Sequence, residues 1–473
     1  MASAPISFYE RVDKGIHDDV MRRALANGTS SFTVKREAAL GTLPNPDDLR
    51  DQARLMRRHT IANLDRYLAQ FAEGVERAGG VVHWALDAEQ ARQIVLDIAQ
   101  RNNVQRIIKS KSMVTEEIHL NAALEANNLE VVETDLGEFI AQLDHDHPSH
   151  IIVPVLHKTR QQIGRLFTDK LGVEYTDDPT TLAKIARRIM RQKFLAADMG
   201  ISGVNFGVAS TGTLTIVTNE GNGRMSTTMP RLHVAMMGIE RLVPTPADLT
   251  LGLQLLARSA TGQKLTVYTT FITGPKRAAD GDGPEQLHVV LVDNGRSNIL
   301  RTDLAEILTC IRCGACLNAC PVYRAIGGHA YGHTYPGPMG SILSPLFGGL
   351  EQYGNLPHAS SLCGACRDVC PVRIDLPELL LRLRNDTVEA GMAPAWLSSG
   401  IKAYTQAATH PWLWKMGARV ARKGAGAMAQ DGWIRQMPGP LSAWTETRDF
   451  PALVKESFQE RWAKRKENVK RKI

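Results

Sequence analysis

Seven cysteines carry the most specific chemistry in this chain. They stand as Cys310-x2-Cys313-x2-Cys316-x3-Cys320-Pro321 and Cys363-x2-Cys366-x3-Cys370-Pro371, and no other cysteine occurs in the 473 residues. This is the spacing of the bacterial ferredoxin run, in which three close thiolates hold one iron–sulfur cluster and the last, before proline, reaches across to the other. Zinc ribbons pair C-x2-C knuckles without the third and fourth cysteine. A disulfide framework belongs to oxidising compartments and usually to small secreted chains. The pattern predicts metal-bound thiolates and electron transfer.

The two motifs are internal copies: 313–322 aligns with 363–372 without a gap, and the same alignment pairs Cys310 with Ser360. Crossed ligation then assigns Cys310, Cys313, Cys316 and Cys370 to one [4Fe-4S] cluster. Cys320, Cys363 and Cys366 remain for a second, which is one thiolate short. Three readings of that gap are open. Ser360 or the nearby His358 supplies a non-cysteine fourth ligand; the cluster is a three-iron species; or one iron stays open and acts as a Lewis acid. An electron relay needs no catalytic iron, because ligand type, hydrogen bonds and burial set cluster potentials.

The elements that must position these thiols follow from periodicity. Residues 1–300 are predicted to form an α/β domain. An amphipathic helix from Asn45 to Ala78 carries Leu49, Ala53, Leu55, Met56, Ile61, Leu64, Tyr67 and Leu68 on one stripe. Strands 81–85, 106–109, 130–133 and 150–156 alternate with helices 88–102, 114–127 and 136–143, which argues for crossover units and a parallel sheet. Further strands are expected at 214–218, 232–237, 264–272 and 287–293, the last two bracketing a hairpin-like insertion at 274–284. Residues 301–392 form the cluster domain. Its Gly- and Pro-rich stretch 321–362 is expected to wrap the clusters without a long regular element. A helix capped by Asp375 should run to Gly391. Residues 393–473 read as a helical extension in which Trp396, Trp412, Trp414, Trp433 and Trp444 serve a core or an interface.

Open α/β sheets bind ligands beyond the carboxyl ends of their strands. Lys109 and Lys111, with Ser110 and Ser112, stand where a strand gives way to a helix and suit a phosphate or carboxylate; an ordinary helix start fits equally. The loops 205–214 and 219–228 offer hydroxyls, amides and the charges Glu220 and Arg224, either as a pocket for a small polar ligand or as turn chemistry. Lys109, Lys111 and Glu220 are the candidate ligand contacts. Gly221-x-Gly223 lacks the third glycine of a dinucleotide fingerprint. Asp135 or Thr134 is expected to cap the helix that follows.

Composition narrows the class further. Hydrophobic residues at 43% and charged residues at 22% are ordinary for a globular protein. The net charge of +7 is modest, and a sequence pI near 9.0 is weak support for nucleic-acid contact. Much of the positive excess lies in 461–473, which reads as a solvated tail. The first residues lack a basic start followed by an apolar run, and no stretch approaches the roughly 20 apolar residues of a membrane span. The expectation is a cytoplasmic protein whose membrane contact is at most peripheral, with no nucleic-acid partner.

Taken together, Lys109–Ile118 (KSKSMVTEEI), Glu133–Glu138 (ETDLGE), Ala209–Leu214 (ASTGTL), Val217–Gly223 (VTNEGNG), the paired cysteine motifs and Asp449–Phe458 (DFPALVKESF) resemble the lactate utilization protein B (LutB) family. The resemblance implies a LUD-type first domain, similar to isomerase and CoA-transferase α/β folds, followed by a helical two-cluster ferredoxin. It also implies LutA-like and LutC-like partners in converting L-lactate to pyruvate, with this chain a subunit of an oxidoreductase rather than a complete enzyme. Ser210 departs from the Glu expected in many relatives, which puts any ligand role at that position in doubt. Two rival functions stay open: the electron-transfer subunit of a glycolate-type 2-hydroxyacid oxidase, and a ligand-binding module whose clusters sense redox state.

Overall fold

Apolar runs in the strands build a six-stranded, all-parallel sheet. The computed structural model describes residues 7–393 and 395–470. Strands β1 (Val81–Ala85), β2 (Arg106–Lys109), β3 (Glu130–Glu133), β4 (Met199–Gly203), β7 (Leu232–Gly238) and β10 (Gln286–Val292) pair in the order β1-β10-β7-β4-β2-β3. The central strands are apolar on both faces, as a sheet covered on both sides requires. Val234 and Met236 face a core with Ala91, Val95 and Ile98 of the helix Ala88–Arg101. Ala235 and Met237, one residue out of phase, face Leu64, Leu68, Phe71 and Val75 of the helix Leu64–Arg77. A second sheet of β5 (Phe206–Val208), β6 (Thr213–Thr218), β8 (Leu242–Val243) and β9 (Tyr268–Ile272) has the order β8-β5-β6-β9.

The cysteine segment shares a core with the N-terminal helices. Met21 and Leu25 of Asp19–Leu40, Ala53, Met56 and Ile61 of Pro46–Ala62, and Leu249, Leu255 and Leu256 of Pro246–Thr261 pack with Leu317, Tyr323, Met339, Ile342, Leu343 and Leu380. One compact unit accordingly ends at Ala390, and a second begins at Gly391. The second holds the helices Ala395–Thr409, Pro411–Met428 and Phe458–Lys470.

Several expected elements differ, each for a local reason. The helix expected over Asn45–Ala78 breaks at Asn63, whose side-chain amide donates to the His59 carbonyl at 2.8 Å and ends the first helix. The helix expected over 114–127 is two short ones, Met113–Glu117 and Leu120–Ala126, separated by His119 at φ +52°. Residues 150–156 form no strand. The buried His150 ring accepts the N–H groups of Ile152 and Val153 at 3.1 Å and turns the chain. The 264–272 strand shortens to Tyr268–Ile272 and pairs with β6, so it forms no hairpin with β10. Within the Gly/Pro-rich stretch a 12-residue helix, Gly337–Gly348, forms with Pro338 in its first turn, where the missing N–H costs nothing. Trp396, Trp412, Trp414, Trp433 and Trp444 are exposed, not core; Ala425 and Ile434 are the buried apolar residues of their unit among those described.

Candidate metal centre

Each cysteine motif is a tight loop followed by one turn of helix. In the first, Arg312 at φ +58° and Gly314 at φ +75° wind the backbone into the helix Ala315–Ala319. In the second, Leu362 at φ +53° and Gly364 at φ +85° do the same before Ala365–Val369. Such left-handed backbone is unfavourable for Arg and Leu, and its recurrence at matched positions of both copies marks a shape imposed by the thiols. The two short helices pack against each other. Backbone N–H groups point at sulfur: Arg312 donates to Cys310 Sγ, Tyr323 to Cys320 Sγ and Ile374 to Cys370 Sγ, each at 3.4 Å.

The thiols fall into two neighbouring sets. One pocket is lined by Cys310, Cys313, Cys316 and Cys370 together with Met339, Val372 and Ile374. Burial, then the nearby Cys310 and Cys370, push the Cys313 thiol up; burial first and Cys310 next push Cys370 to about 11. In the other set, burial and then Cys320 push Cys366 up to about 12, with Cys363 adding to it. Cys316 is raised by burial, then by Cys310 and Cys313, and also feels Cys366, so the sets are adjacent. Cys313, Cys320, Cys366 and Cys370 are buried, whereas Cys363 is exposed. Apolar burial keeps free thiols protonated, and a cation in either pocket would take the place of those protons.

A shell of buried arginines surrounds the first set, and sequence reading did not find it. Arg57 donates to the carbonyls of Thr309 and Leu308 at 3.1 Å and also to those of Leu242 and Glu240. Arg241 donates to the Cys310 carbonyl at 3.2 Å, and Arg50 to the Cys370 carbonyl at 2.9 Å. Arg296 pairs with Glu117 at 2.8 Å and with Glu240 at 2.6 Å. Arg312 reaches Glu240 at 3.2 Å and lies over Tyr335, whose hydroxyl donates to Glu117 at 2.7 Å. Among the described residues neither Arg57 nor Arg241 forms an ion pair; both rest on carbonyls. Desolvation pushes Arg57 down to about 9. A buried surplus of positive charge is costly unless a negative group sits beside it. A thiolate-ligated cluster, which carries net negative charge, fits that place. The signal was present in the sequence: Arg57 lies between Ala53 and Ile61 at intervals of four, inside the apolar stripe of its helix.

The apolar run 150–156 covers the first cysteine loop. His150 Nε2 lies 3.1 Å from Asn318 Oδ1, and a side chain at Gly314 would meet Ile152 at 3.1 Å and Ile151 at 3.3 Å. Burial, then Lys111, lowers His150 to about 3, so its ring is neutral and free to accept the two N–H groups.

In the α/β portion, the structure separates the candidate contacts. Lys109 is fully buried, with Glu133 at 2.7 Å, Glu116 at 2.8 Å and Thr115 Oγ1 at 2.8 Å, one acceptor for each ammonium hydrogen. Lys111 pairs with Glu138 at 2.8 Å and donates to the Ile152 carbonyl at 3.1 Å. Asp135 caps the helix Leu136–Leu143 through the Gly137 N–H. Glu220 lies near Asp135 and Lys111. Local desolvation and then Asp135 push its carboxyl up to about 7, although its surface remains exposed. The loop 209–212 is turn chemistry: Gly212 at φ +69° joins β5 to β6 and lies so close to Gly74 that any side chain would clash with its backbone. Ser210 donates its N–H to the Pro244 carbonyl at 3.0 Å, and its hydroxyl has no hydrogen bond among the described residues.

An α/β domain with a covered parallel sheet, fused to a paired-loop cysteine region, defines an iron–sulfur protein of the ferredoxin-bearing α/β class. Family models match three stretches of the chain. A LUD domain matches 68–292, a 4Fe-4S dicluster domain 306–374, and the C-terminal domain of lactate utilisation protein B 391–467. Lactate utilization protein B of Geobacillus sp. (strain WCH70) is 48% identical over 456 residues, covering 96% of both chains. The protein of the same name from Bacillus subtilis (strain 168) is 47% identical over 468 residues, 98% of both chains, and that of Anoxybacillus flavithermus 48% identical over 463 residues, again 98% of both. The chain belongs to the lactate utilization protein B family. No helix among the described residues is long and apolar enough to cross a membrane.

Proposed function

We propose that this chain is the iron–sulfur electron-transfer component of an L-lactate oxidation system, with Cys310, Cys313, Cys316 and Cys370 holding one [4Fe-4S] cluster and Cys320, Cys363 and Cys366 a second. The observation that carries the proposal is the shared pocket, in which Cys370 of the second motif joins three cysteines of the first. Oxidising L-lactate to pyruvate releases two electrons and two protons. When bound, two such clusters pass electrons singly, which suits a relay between a two-electron site and an outside acceptor.

The residues of this chain supply the setting. Arg57, Arg241 and Arg312 balance charge at the first pocket, and the backbone N–H groups of Arg312 and Ile374 steady its sulfurs. Ile151 and Ile152 pack over Gly314 beside it. The exposure of Cys363 supports reading the second set as the one nearer a redox partner. The oxidation of lactate itself falls to a LutA-like or LutC-like partner, in a cytoplasm that keeps the thiols reduced. Lys111 and Glu220 are the proposed contacts for a small acid in the first domain, with Lys109, whose three hydrogens are already engaged, supporting them from behind.

The test is anaerobic: the reconstituted chain is mixed with the partner subunits and L-lactate, and bleaching of its visible absorbance is followed. Reduction by L-lactate and not by glycolate supports this assignment. Reduction by glycolate alone would move the chain to another 2-hydroxyacid oxidase. Ligand-induced thermal stabilisation without any reduction would favour a sensing module.

A further inference from the structure

We propose that Ser360 is the fourth ligand of the second cluster, binding iron through Oγ with loss of its hydroxyl proton to solvent. The inference rests on the two-cluster reading above and completes the three-thiolate set Cys320, Cys363 and Cys366.

The case comes from the geometry of the repeat. Ser360 stands where the first motif has Cys310, and the loop that follows winds the same way in both copies, although the 3-10 turn before it is capped at Cys310 in the first and one residue earlier, at Ala359, in the second. Two residues on, Arg312 and Leu362 both adopt the left-handed region; four residues on, Gly314 and Gly364 do so as well. The N–H of Arg312 donates to Cys310 Sγ at 3.4 Å, and the N–H of Leu362 donates to Ser360 Oγ at 3.1 Å. The shorter distance is what oxygen in place of the larger sulfur requires. Even the carbonyls are held alike: Arg241 donates to that of Cys310 at 3.2 Å, and Arg384 to that of Ser360 at 2.8 Å. Ser360 Oγ therefore accepts the N–H whose counterpart in the first copy goes to a cysteine sulfur.

His358 is the other nearby donor, and its setting differs. It lies in the short 3-10 helix Leu356–His358, exposed, at the position that corresponds to fully buried Leu308 in the first copy. Arg384 also donates to the Pro357 carbonyl at 2.9 Å, which fixes the 357–360 backbone with Ser360 at the ligand position. Alkoxide is a harder donor than thiolate, so its iron should be electronically distinct from the three thiolate-bound irons of that cluster.

The test uses the full chain, reconstituted anaerobically with isotopically enriched iron, and compares wild type with Ser360→Cys, Ser360→Ala and His358→Ala. Iron counting, Mössbauer spectroscopy and EPR of the oxidised protein are the readouts. The expected result is a wild-type second cluster of four irons, one with a distinct isomer shift. Ser360→Cys should keep the iron but lose that distinct site. Ser360→Ala should lose one iron per chain and give a three-iron EPR signal, while the Mössbauer doublets of the first cluster stay unchanged and report a folded chain. A Ser360→Ala protein with the wild-type spectrum and iron content would overturn the proposal. So would a wild-type three-iron cluster, or loss of iron in His358→Ala in place of Ser360→Ala. Wild-type protein that holds one cluster, or zinc, would overturn the two-cluster reading itself, and that failure would be visible before any variant is made.

Discussion

Arg57→Met removes a buried positive charge beside the first cysteine set and should lower the reduction potential of a cluster held there. Arg57 is fully buried and donates to the carbonyls of Thr309 and Leu308 at 3.1 Å, one and two residues before Cys310. One hydrogen bond plus about a residue's reach puts the guanidinium roughly 8 Å from the nearer irons. At that distance and an effective dielectric of about 20, one unit charge contributes about 2 kcal/mol to adding an electron. For a one-electron couple this is roughly 90 mV. Four carbonyls also lose their donor, which should cost several kcal/mol at about 1 kcal/mol for each hydrogen bond. Arg57→Lys separates the two effects, because it keeps the charge while giving up most of the hydrogen bonds. An EPR-monitored redox titration of the two variants and wild type, with denaturant unfolding alongside, reads both quantities. The expected potential is tens of millivolts lower in Arg57→Met and nearly wild-type in Arg57→Lys, with both variants less stable. Equal potentials in all three proteins would refute the electrostatic role of the arginine shell.

Three further outcomes follow from the same structure. Cys316→Ala and Cys370→Ala, in different motifs, should both abolish the same EPR signal, whereas Cys320→Ala should spare it; paired losses within each motif would mean that the ligation is not crossed. Arg296→Met leaves buried Glu117 without its cation and Glu240 with Arg312 alone, and should destabilise the chain by about 3–5 kcal/mol in denaturant unfolding. A change below about 1 kcal/mol would mean that the network relaxes or takes up water. Glu220 titrates near 7 when folded and near 4.5 when unfolded, so the folded state holds the proton more tightly. Its contribution favours folding as pH falls from 7 toward 4.5 and is absent above 7, so Glu220→Gln should flatten that limb of the stability–pH curve and leave the curve unchanged only if the carboxyl is not perturbed.

The convergence of the cysteines was legible in the sequence, and so was the class of the fold, more than the bounds of individual elements. Cysteine spacing and the copy relation between 313–322 and 363–372 pointed to the shared pocket, because metal ligation demands fixed intervals. The parallel sheet was legible where strands are apolar and flanked by helices, as at 81–85, 106–109, 130–133 and 232–238. Periodicity failed where a side chain took over a backbone bond. Asn63 ends a helix whose apolar stripe continues past it. His150 turns an apolar run away from the sheet and onto the cysteine loop, a contact more than 150 residues distant in sequence. Glycine and proline in 321–362 hid a helix whose prolines sit at its first turn and near its end. The exposure of the five tryptophans was also out of reach, since composition does not say what a large apolar side chain faces.

Anaerobic reconstitution with iron and sulfide, followed by iron counting and EPR of the reduced protein, tests the central claim most directly. A two-cluster chain should hold about eight irons and give two magnetically interacting reduced signals. About four irons with a single isolated signal, or a protein that takes zinc in preference to iron, would contradict it.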